Sequence, residues 1–361
     1  MRKILILLGV VAIAVLVFAM HGDAKALTWT QINNNGFGEG SQRVGLEPII
    51  WGDYMYVGLQ NLSTGAQVWR SKNGTVWEKV LTNGLNNTGN SMVGGFGIYN
   101  GALYGLLSGQ TLDTKIIRTH NGTDWEQVGS GGLGDTRNNY WSYAFAEFEG
   151  HFYVSLSNIS TGVEIWRTSN GTDWSQVSKD GFGDANNLDS RSMYVYNGYL
   201  YAGTWNALSG GGEIWRTANG TDWTRTVDNG FNDGNNIGIW SLGKLGDYLY
   251  AATYNVVTGV EMWRSTDGQT WNQVNANGFG NANNYWPSFH PMVVNDTMYI
   301  GVRNDVSGAQ IWSTTNGTNW TSELTSGNGD IRDYAVYGMA VWGDRMYAIG
   351  SSNTAVGGTG V

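Results

Sequence analysis

The segment Asn170-Gly171-Thr172-Asp173-Trp174 is one copy of a motif that repeats along the chain. The tryptophan that ends it recurs at Trp29, Trp77, Trp125, Trp174, Trp223, Trp271 and Trp320, at spacings of 48 or 49 residues. Two further markers keep this period. A second tryptophan stands eight residues earlier in most copies, at Trp69, Trp166, Trp215, Trp263 and Trp312, and tyrosines recur at Tyr56, Tyr104, Tyr153, Tyr201, Tyr250, Tyr299 and Tyr347. A fixed period of this length is typical of a repeat architecture.

Each repeat contains four short runs with β-strand character. In one copy the runs cover 193–196, 200–204, 213–216 and 223–227. The dipeptides Asn197-Gly198 and Asn219-Gly220 separate them, and such dipeptides favour tight hairpin turns because both residues tolerate positive φ. Four antiparallel strands per 48–49 residues predict an all-β fold, a seven-bladed β-propeller formed by residues 27–361 as a single domain.

The two ends of the chain predict how the ring closes. Residues 28–32 match only the last strand of a repeat, so we expect this N-terminal strand to complete the last blade and remove an open sheet edge. The segment 357–361 stops where the third strand of that blade is expected. Two interpretations remain at this point: a weak third strand, or a natural chain that was cut short.

The copy Ser265-Thr266-Asp267-Gly268-Gln269-Thr270-Trp271 resembles the Asp-box of bacterial-neuraminidase-type (BNR) repeats, a turn between the third and fourth strands of a blade. The turn here is one residue shorter, and Asn replaces Asp in most copies. The resemblance spans 27–361 and implies a propeller fold. It implies no activity, because Asp-boxes in that family are structural and also occur in non-enzymatic propellers. In physical terms, Asn or Asp caps its own turn, Gly adopts the unusual φ, and Trp packs between blades.

The first 26 residues have the pattern of a secretory signal peptide. Arg2 and Lys3 precede the uncharged run 4–20, and Ala24-Lys25-Ala26 has the small-x-small form of a cleavage site. The alternative is a retained membrane anchor, since 17 residues are at the lower limit of a bilayer span. Cleavage would remove three basic residues and one acidic one and leave a formal net charge of −11. We therefore predict an exported protein, secreted or at the cell surface, that meets a membrane only if this segment is retained.

Composition excludes several classes of site. The 361 residues include no Cys, so disulfides, thiol nucleophiles and Cys-ligated metals are excluded. A net charge of −9 argues against nucleic-acid partners, which require clustered Lys and Arg. We expect no cofactor. Calcium is the alternative, because the segment 180–187 is rich in side-chain oxygens but lacks the spacing of an EF-hand.

Four tryptophans stand outside the repeat template. They lie in or just after the linker between repeats, or in the loop between the second and third strands: Trp141, Trp205, Trp240 and Trp286. In a propeller these segments open on one face. One interpretation is that they fill gaps between blades, and the other is an aromatic platform for sugar rings or a protein partner. The predicted ligand-binding set adds neighbours from the inner strands and is Trp141, Tyr143, Arg191, Trp205, Trp240, Trp286, Phe289, His290 and Tyr337.

Polar residues on the inner strands provide weak catalytic candidates. Glu47 and His290 stand in an inward column that otherwise holds small residues, and a solvated pair in a water-filled channel is the simpler interpretation. The arginines divide into a repeat-bound set (Arg70, Arg118, Arg167, Arg216 and Arg264) and a set on the candidate ligand face, which includes Arg191 and Arg303. The full list of catalytic candidates is Glu47, Asp189, Arg191, His290 and Asp333. A Phe/Tyr-Arg-Ile-Pro motif, which sialidases of the BNR family carry near their start, is absent, and Glu47-Pro48 does not replace it.

Three functional hypotheses follow. The first is an exported, non-catalytic propeller that binds a glycan or an extracellular protein through the aromatic face. The second is a glycoside hydrolase or lyase of the sialidase type, and the third is a surface-layer or scaffold component. The Asn-x-Ser/Thr sequons, such as those at Asn121, Asn170 and Asn219, provide glycosylation sites in an exported protein, although their turn chemistry explains most of them.

Overall fold

The computed structural model describes residues 15–19, 29–32, 37, 42–109, 113–206, 208 and 210–352. The described residues are mostly β-strand, in antiparallel sheets. The predicted cleavage site and the segment 357–361 lie outside the described residues. None of the helices in the described part is long and apolar enough to cross a membrane.

Strands of the first half of the chain are three to eight residues long in most cases. They are β1 Val15–Ala19, β2 Trp29–Gln31, β3 Gln42–Gly45, β4 Ile49–Trp51, β5 Tyr54–Asn61, β6 Gln67–Ser71, β7 Trp77–Leu81, β8 Met92–Tyr99, β9 Ala102–Ser108, β10 Lys115–Thr119, β11 Glu126–Val128, β12 Phe145–Phe148, β13 His151–Leu156, β14 Glu164–Thr168 and β15 Ser175–Gln176.

The second half continues the same pattern. Its strands are β16 Asp189–Tyr196, β17 Tyr199–Trp205, β18 Ile214–Thr217, β19 Thr224–Val227, β20 Gly238–Leu245, β21 Tyr248–Tyr254, β22 Met262–Ser265, β23 Asn272–Gln273, β24 Trp286–Pro287, β25 Met292–Val294, β26 Thr297–Arg303, β27 Gln310–Thr314, β28 Thr321–Leu324, β29 Asp333–Trp342 and β30 Arg345–Ser352.

Each repeat folds as one antiparallel unit whose strands pair in chain order. The unit 189–227, for example, pairs β16 with β17, β17 with β18 and β18 with β19. A single bridge between Trp205 and Gly238 joins it to the unit 238–273. The core lies between consecutive units, as where Phe152 packs against Tyr99. The last unit packs on the first, since Tyr347 and Met55 share one apolar cluster, so the units form a closed ring.

Short turns with helical hydrogen bonding precede most inner strands. They are Asn83–Asn86, Gly131–Gly134, Asp180–Gly183, Asn229–Asn232, Asn277–Gly280 and Ser326–Gly329. They are not right-handed helices, because a glycine and the next residue both have positive φ, as at Gly230 (58°) and Phe231 (63°). The turn places the Phe231 ring flat on Trp263 of the next unit, with ring centroids 4.4 Å apart.

The Asp-box-like turns have the predicted structural role. Asn170 Oδ1 accepts hydrogen bonds from the backbone N–H of Thr172 and Asp173, both at 2.9 Å, and Gly171 has a φ of 82°.

The repeat-bound arginines connect each unit to the corresponding turn of the next unit. Arg216 Nη1 donates to Asp267 O at 2.9 Å, and the guanidinium stacks on the Tyr199 ring.

The N-terminal segment completes the last unit in an unexpected way. β2 is the outer strand of this sheet, as predicted, and the strand order is β2-β1-β30-β29. The third position, which we expected the C-terminal end to fill, is held by β1, from within the predicted signal segment. The physical reason is that a short, uncharged apolar run is typical of a buried strand as well as of a signal peptide.

Candidate functional site

The candidate site lies where the inner strands begin. Trp286 opens β24, Arg191 and Trp240 lie near the starts of β16 and β20, and Trp141 precedes β12. Trp205 is the last residue of β17. Because β16 and β17 are antiparallel, the end of β17 lies beside the start of β16, and Trp205 is opposite Asp189. The ring therefore brings the four tryptophans outside the template to one channel mouth. We call this group of residues the mouth site.

The aromatic rings of the mouth site form one connected cluster. Trp240 stacks on Tyr254 with centroids 3.9 Å apart and meets Trp286 at 4.4 Å. Trp286 in turn contacts Tyr337 at 5.5 Å. Phe289 lies 4.9 Å from Tyr143, and Trp141 packs on the same apolar cluster. The rings therefore span several units rather than filling separate gaps.

A buried ion pair lies beneath these rings. Arg191 Nε donates to Asp189 Oδ2 at 2.7 Å, and neither side chain is more than 4 % exposed. The guanidinium lies over Trp240 at 4.1 Å and over Tyr143 at 4.5 Å, distances at which a cation is attracted to the ring face. Burial raises the pKa of Asp189, while Arg191 and a hydrogen bond from Ser157 oppose that shift.

Burial corrects the predicted ligand-binding set. Trp240 and Phe289 are each 2 % exposed, and Tyr143, Arg191 and Tyr337 are also buried, so these five side chains form a floor and present no contact surface. Trp141, Trp205 and Trp286 are half-buried and form the exposed part, with His290 in the channel. The reason is mutual stacking: the ring of Trp240 is covered by Tyr254 and Trp286.

The structure adds two tyrosines that the sequence analysis left out of the site, and it places Arg303, which was expected on the candidate ligand face, beside Trp286. Tyr140 and Tyr285 are half-buried and directly precede Trp141 and Trp286, and Tyr140 stacks on Trp141 with centroids 5.5 Å apart. Arg303 lies 5.2 Å from the Trp286 ring and pairs with Asp305. The dipeptide Tyr-Trp occurs at the end of two linkers, at 140–141 and 285–286, and this repetition could have indicated that the tyrosines belong to the site.

Several hydrogen-bond donors of the mouth site have no acceptor among the described residues. They are Nη1 of Arg191 and Nε1 of Trp141, Trp205, Trp240 and Trp286. Unpaired indole N–H groups also occur at turn tryptophans such as Trp174, so the property by itself does not mark a site. Three of these indole rings, those of Trp205, Trp240 and Trp286, lie within 6.0 Å of the Arg191 guanidinium, so most of the unpaired donors are grouped around this buried ion pair.

The catalytic candidates form two separate pairs and one aspartate outside them, rather than one constellation. Asp189 is fully buried against Arg191, so it is not available as an acid or nucleophile in this structure. Asp333 lies at the start of β29, where it is paired in register with Ser352. Glu47 and His290 do meet, with His290 Nδ1 2.9 Å from a Glu47 carboxylate oxygen.

Within the described residues there is no cluster of three or more His, Asp or Glu side chains placed to hold a metal ion. In the oxygen-rich segment 180–187, Asp184 Oδ1 accepts from the N–H of Asn186, and Asn187 Nδ2 donates to Gly181 O. These contacts support the interpretation that these two side chains cap turns.

The Glu47–His290 pair crosses the channel and predicts a pH dependence. Burial alone would lower the pKa of His290, but the Glu47 carboxylate and a hydrogen bond with the Met193 backbone raise it above the ordinary value. The stabilisation is therefore fully present below about pH 6.5 and is lost as the pH rises through the higher folded-state value. We expect the thermal midpoint of the wild type to exceed that of Glu47→Gln by more at pH 6 than at pH 9. An equal difference at both pH values would contradict the pairing.

Comparisons with known proteins match this architecture. No protein-family model matches the sequence, and none of the curated proteins matches it. An ancestral GH74 enzyme aligns with 93 % of this chain and 50 % of its own, at 12 % identity and a TM-score of 0.59. A structure from a study of two prolyl endopeptidases aligns with 87 % of this chain and 50 % of its own, at 13 % identity and a TM-score of 0.56. The SapL1 lectin in complex with α-methyl fucoside aligns with 79 % and 96 %, at 10 % identity and a TM-score of 0.51.

The chain thus spans half the length of two of these structures. At such identities the likeness shows the fold, a mostly β, propeller-like architecture that carries very different activities in different proteins.

Proposed function

We propose that this protein is an exported, non-catalytic, seven-bladed β-propeller that binds a glycan at the mouth site. The observation that carries the proposal is the surface formed by Trp141, Trp205 and Trp286, half-exposed and resting on a buried aromatic floor. A lectin solved with a fucoside has the same kind of fold, which supports carbohydrate as the ligand class. Export rests on the signal-like sequence of residues 1–26 alone, because the structure places 15–19 of that segment in the last sheet as β1.

The chemistry of this surface suits a sugar. The apolar faces of sugar rings pack on flat aromatic side chains, while the Arg303–Asp305 pair offers donors and acceptors for hydroxyls. Because the floor is held by stacking and by the Arg191–Asp189 pair, the exposed rings are fixed before the ligand arrives. Preorganisation of this kind lowers the entropic cost of binding.

The catalytic alternative has less support from the structure. A glycosidase of the usual type needs two carboxyl groups that flank the scissile bond. Asp189 is buried against Arg191, the Asp333 carboxyl is hydrogen-bonded with Ser352, and Glu47 contacts His290, so none of these contacts joins two of the predicted carboxylates. We therefore propose binding without turnover, through a site that takes either a free glycan or a glycan on a surface protein.

The test is a glycan array together with a fluorogenic glycoside panel. We expect Trp286→Leu to weaken glycan binding by about tenfold or more, because the flat ring face is lost while apolar contact with Trp240 remains. Trp51→Leu is the matched control: this residue is also half-buried, but it lies at the other end of an inner strand, in β4 before the hairpin turn. Hydrolysis of any glycoside, or equal binding by both variants, would overturn the proposal.

A further inference from the structure

A second recess lies away from the mouth site, between the linker at 182–184 and the outer strands of the unit 189–227. It is an open groove of about 500 Å³, within the size range of ligand pockets. Its lining includes Phe182, Asp184, Glu213, Trp215, Trp223 and Arg225. We call it the outer groove.

Aromatic rings form one wall of the outer groove. Phe182 stacks on Trp215 with centroids 4.9 Å apart and an interplanar angle of 9°. Trp223 meets Phe182 edge-on at 5.3 Å, and its Nε1 donates to Val177 O of the preceding unit. Trp215 and Trp223 remain half-buried, so the wall presents aromatic surface to solvent and is fixed in position from both sides.

A charged pair forms the other wall. Glu213 is 4 % exposed, and its Oε2 accepts from Asn187 Nδ2 and Trp215 Nε1, both at 2.7 Å. Its Oε1 accepts from Arg225 Nη1 at 2.6 Å. The Arg225 side chain is 44 % exposed and also pairs with Asp228. The buried carboxylate is therefore fixed, and an exposed guanidinium is anchored to it.

The guanidinium is not part of the repeat template. Corresponding fourth-strand positions, each paired with a third-strand residue, hold Lys79, Gln127, Gln176, Gln273 and Ser322. The neighbouring unit keeps the rest of the arrangement, since Phe231 stacks on Trp263 and Trp263 Nε1 donates to Glu261. There Gln273 binds Asn277 instead. The template explains the aromatic stack and the buried Glu, but it does not explain Arg225.

We propose that the outer groove is a second binding site, which takes one neutral sugar ring of a glycan. The ring packs against the aromatic wall, Arg225 donates to hydroxyl oxygens, and a carboxylate oxygen of the half-buried Asp184 accepts from a hydroxyl. Glu213, Asp184 and Asp228 outnumber the one arginine, so the local charge is negative and disfavours an acidic sugar. This site is independent of the mouth site, and neither proposal requires the other.

The experiment uses the full chain and a panel of neutral methyl glycosides, with uronic acids as the acidic comparison, in calorimetric titrations. In the Trp286→Leu background, where the mouth site is weakened, we expect binding of a neutral glycoside to remain. Arg225→Gln gives this position the glutamine that the next unit has there, Gln273, and should weaken the binding of the neutral glycoside about tenfold. Arg345→Gln is the matched control, because the side chain of Arg345 in β30 is 45 % exposed, like that of Arg225, and lies outside the outer groove; it should leave the binding unchanged.

Thermal midpoints of all variants check that folding is preserved, and Arg225→Lys should restore part of the affinity by keeping the charge. If Arg225→Gln binds as tightly as its parent, or if the Trp286→Leu protein binds no neutral glycoside, the outer-groove proposal is wrong. That second result would leave the mouth-site proposal standing. If Trp286→Leu keeps the affinity and the number of bound glycosides of the wild type, while Arg225→Gln alone abolishes all binding, the mouth-site proposal alone is overturned.

Discussion

Replacing Gly220 with alanine should lower the free energy of unfolding by about 3 kcal/mol or more, as measured by chemical denaturation. Two effects add. Gly220 has a φ of 78°, which an L-residue adopts at a cost, and a Cβ there would overlap with the hydroxyl of Tyr153 in the preceding unit. The same contact joins Tyr104 to Gly171 and Tyr250 to Gly317, so the substitution tests how the ring is held together.

Gly198→Ala is the matched control for this prediction. Gly198 has a φ of 76°, but a Cβ there would meet no atom within 4 Å. It should therefore lose only the backbone contribution, about 1 kcal/mol. Equal losses in the two variants would show that the tyrosine contact contributes nothing beyond backbone strain.

Asp189→Ala should destabilise the protein by about 3–5 kcal/mol, because it leaves the Arg191 guanidinium buried without its counter-ion. Calorimetry or denaturant unfolding measures this loss. The double variant Asp189→Leu with Arg191→Met removes both charges and should recover part of the stability. A variant that lost glycoside turnover while keeping full stability would instead indicate a catalytic Asp189.

The exposed pair Arg332–Asp330 is the control for this second prediction. Its members are 61 % and 36 % exposed, so solvent screens their attraction. Arg332→Ala removes this ion pair but keeps the Asp330 carboxylate that accepts from the Arg332 backbone N–H, so it should leave the thermal midpoint almost unchanged. A large shift would mean that surface pairs stabilise this ring as much as buried ones do.

The periodic part of the fold was predictable from the sequence because its chemistry is local. An Asn-Gly turn, a tyrosine and two tryptophans carry their spacing into every unit, and the observed Asn170 cap and the outer strand β2 agree with it. The place of β1 was not predictable in the same way. A short apolar run is compatible with export and with a buried strand, and only the vacancy beside β30 favours the latter.

The sequence predicted where the mouth site lies, but not which of its side chains are exposed to solvent. Trp141, Trp205, Trp240 and Trp286 reach one mouth because the ring aligns the starts of its inner strands. Which of them is exposed depends on non-local stacking: Trp240 is covered by Tyr254, whose importance no spacing indicates. Arg225 was missed because it stands inside a template strand, where a side chain is normally attributed to the scaffold.

The seam made by β1 and β2 has a consequence for folding kinetics. β1 pairs with β30, and Asn328 donates to the backbone of Trp29, so these contacts join residues some three hundred positions apart. All other units form from neighbouring hairpins, whereas this sheet must wait until nearly the whole chain has been synthesised. The seam is therefore expected to form last and open first, and its amide hydrogens should exchange ahead of those in β17 or β21.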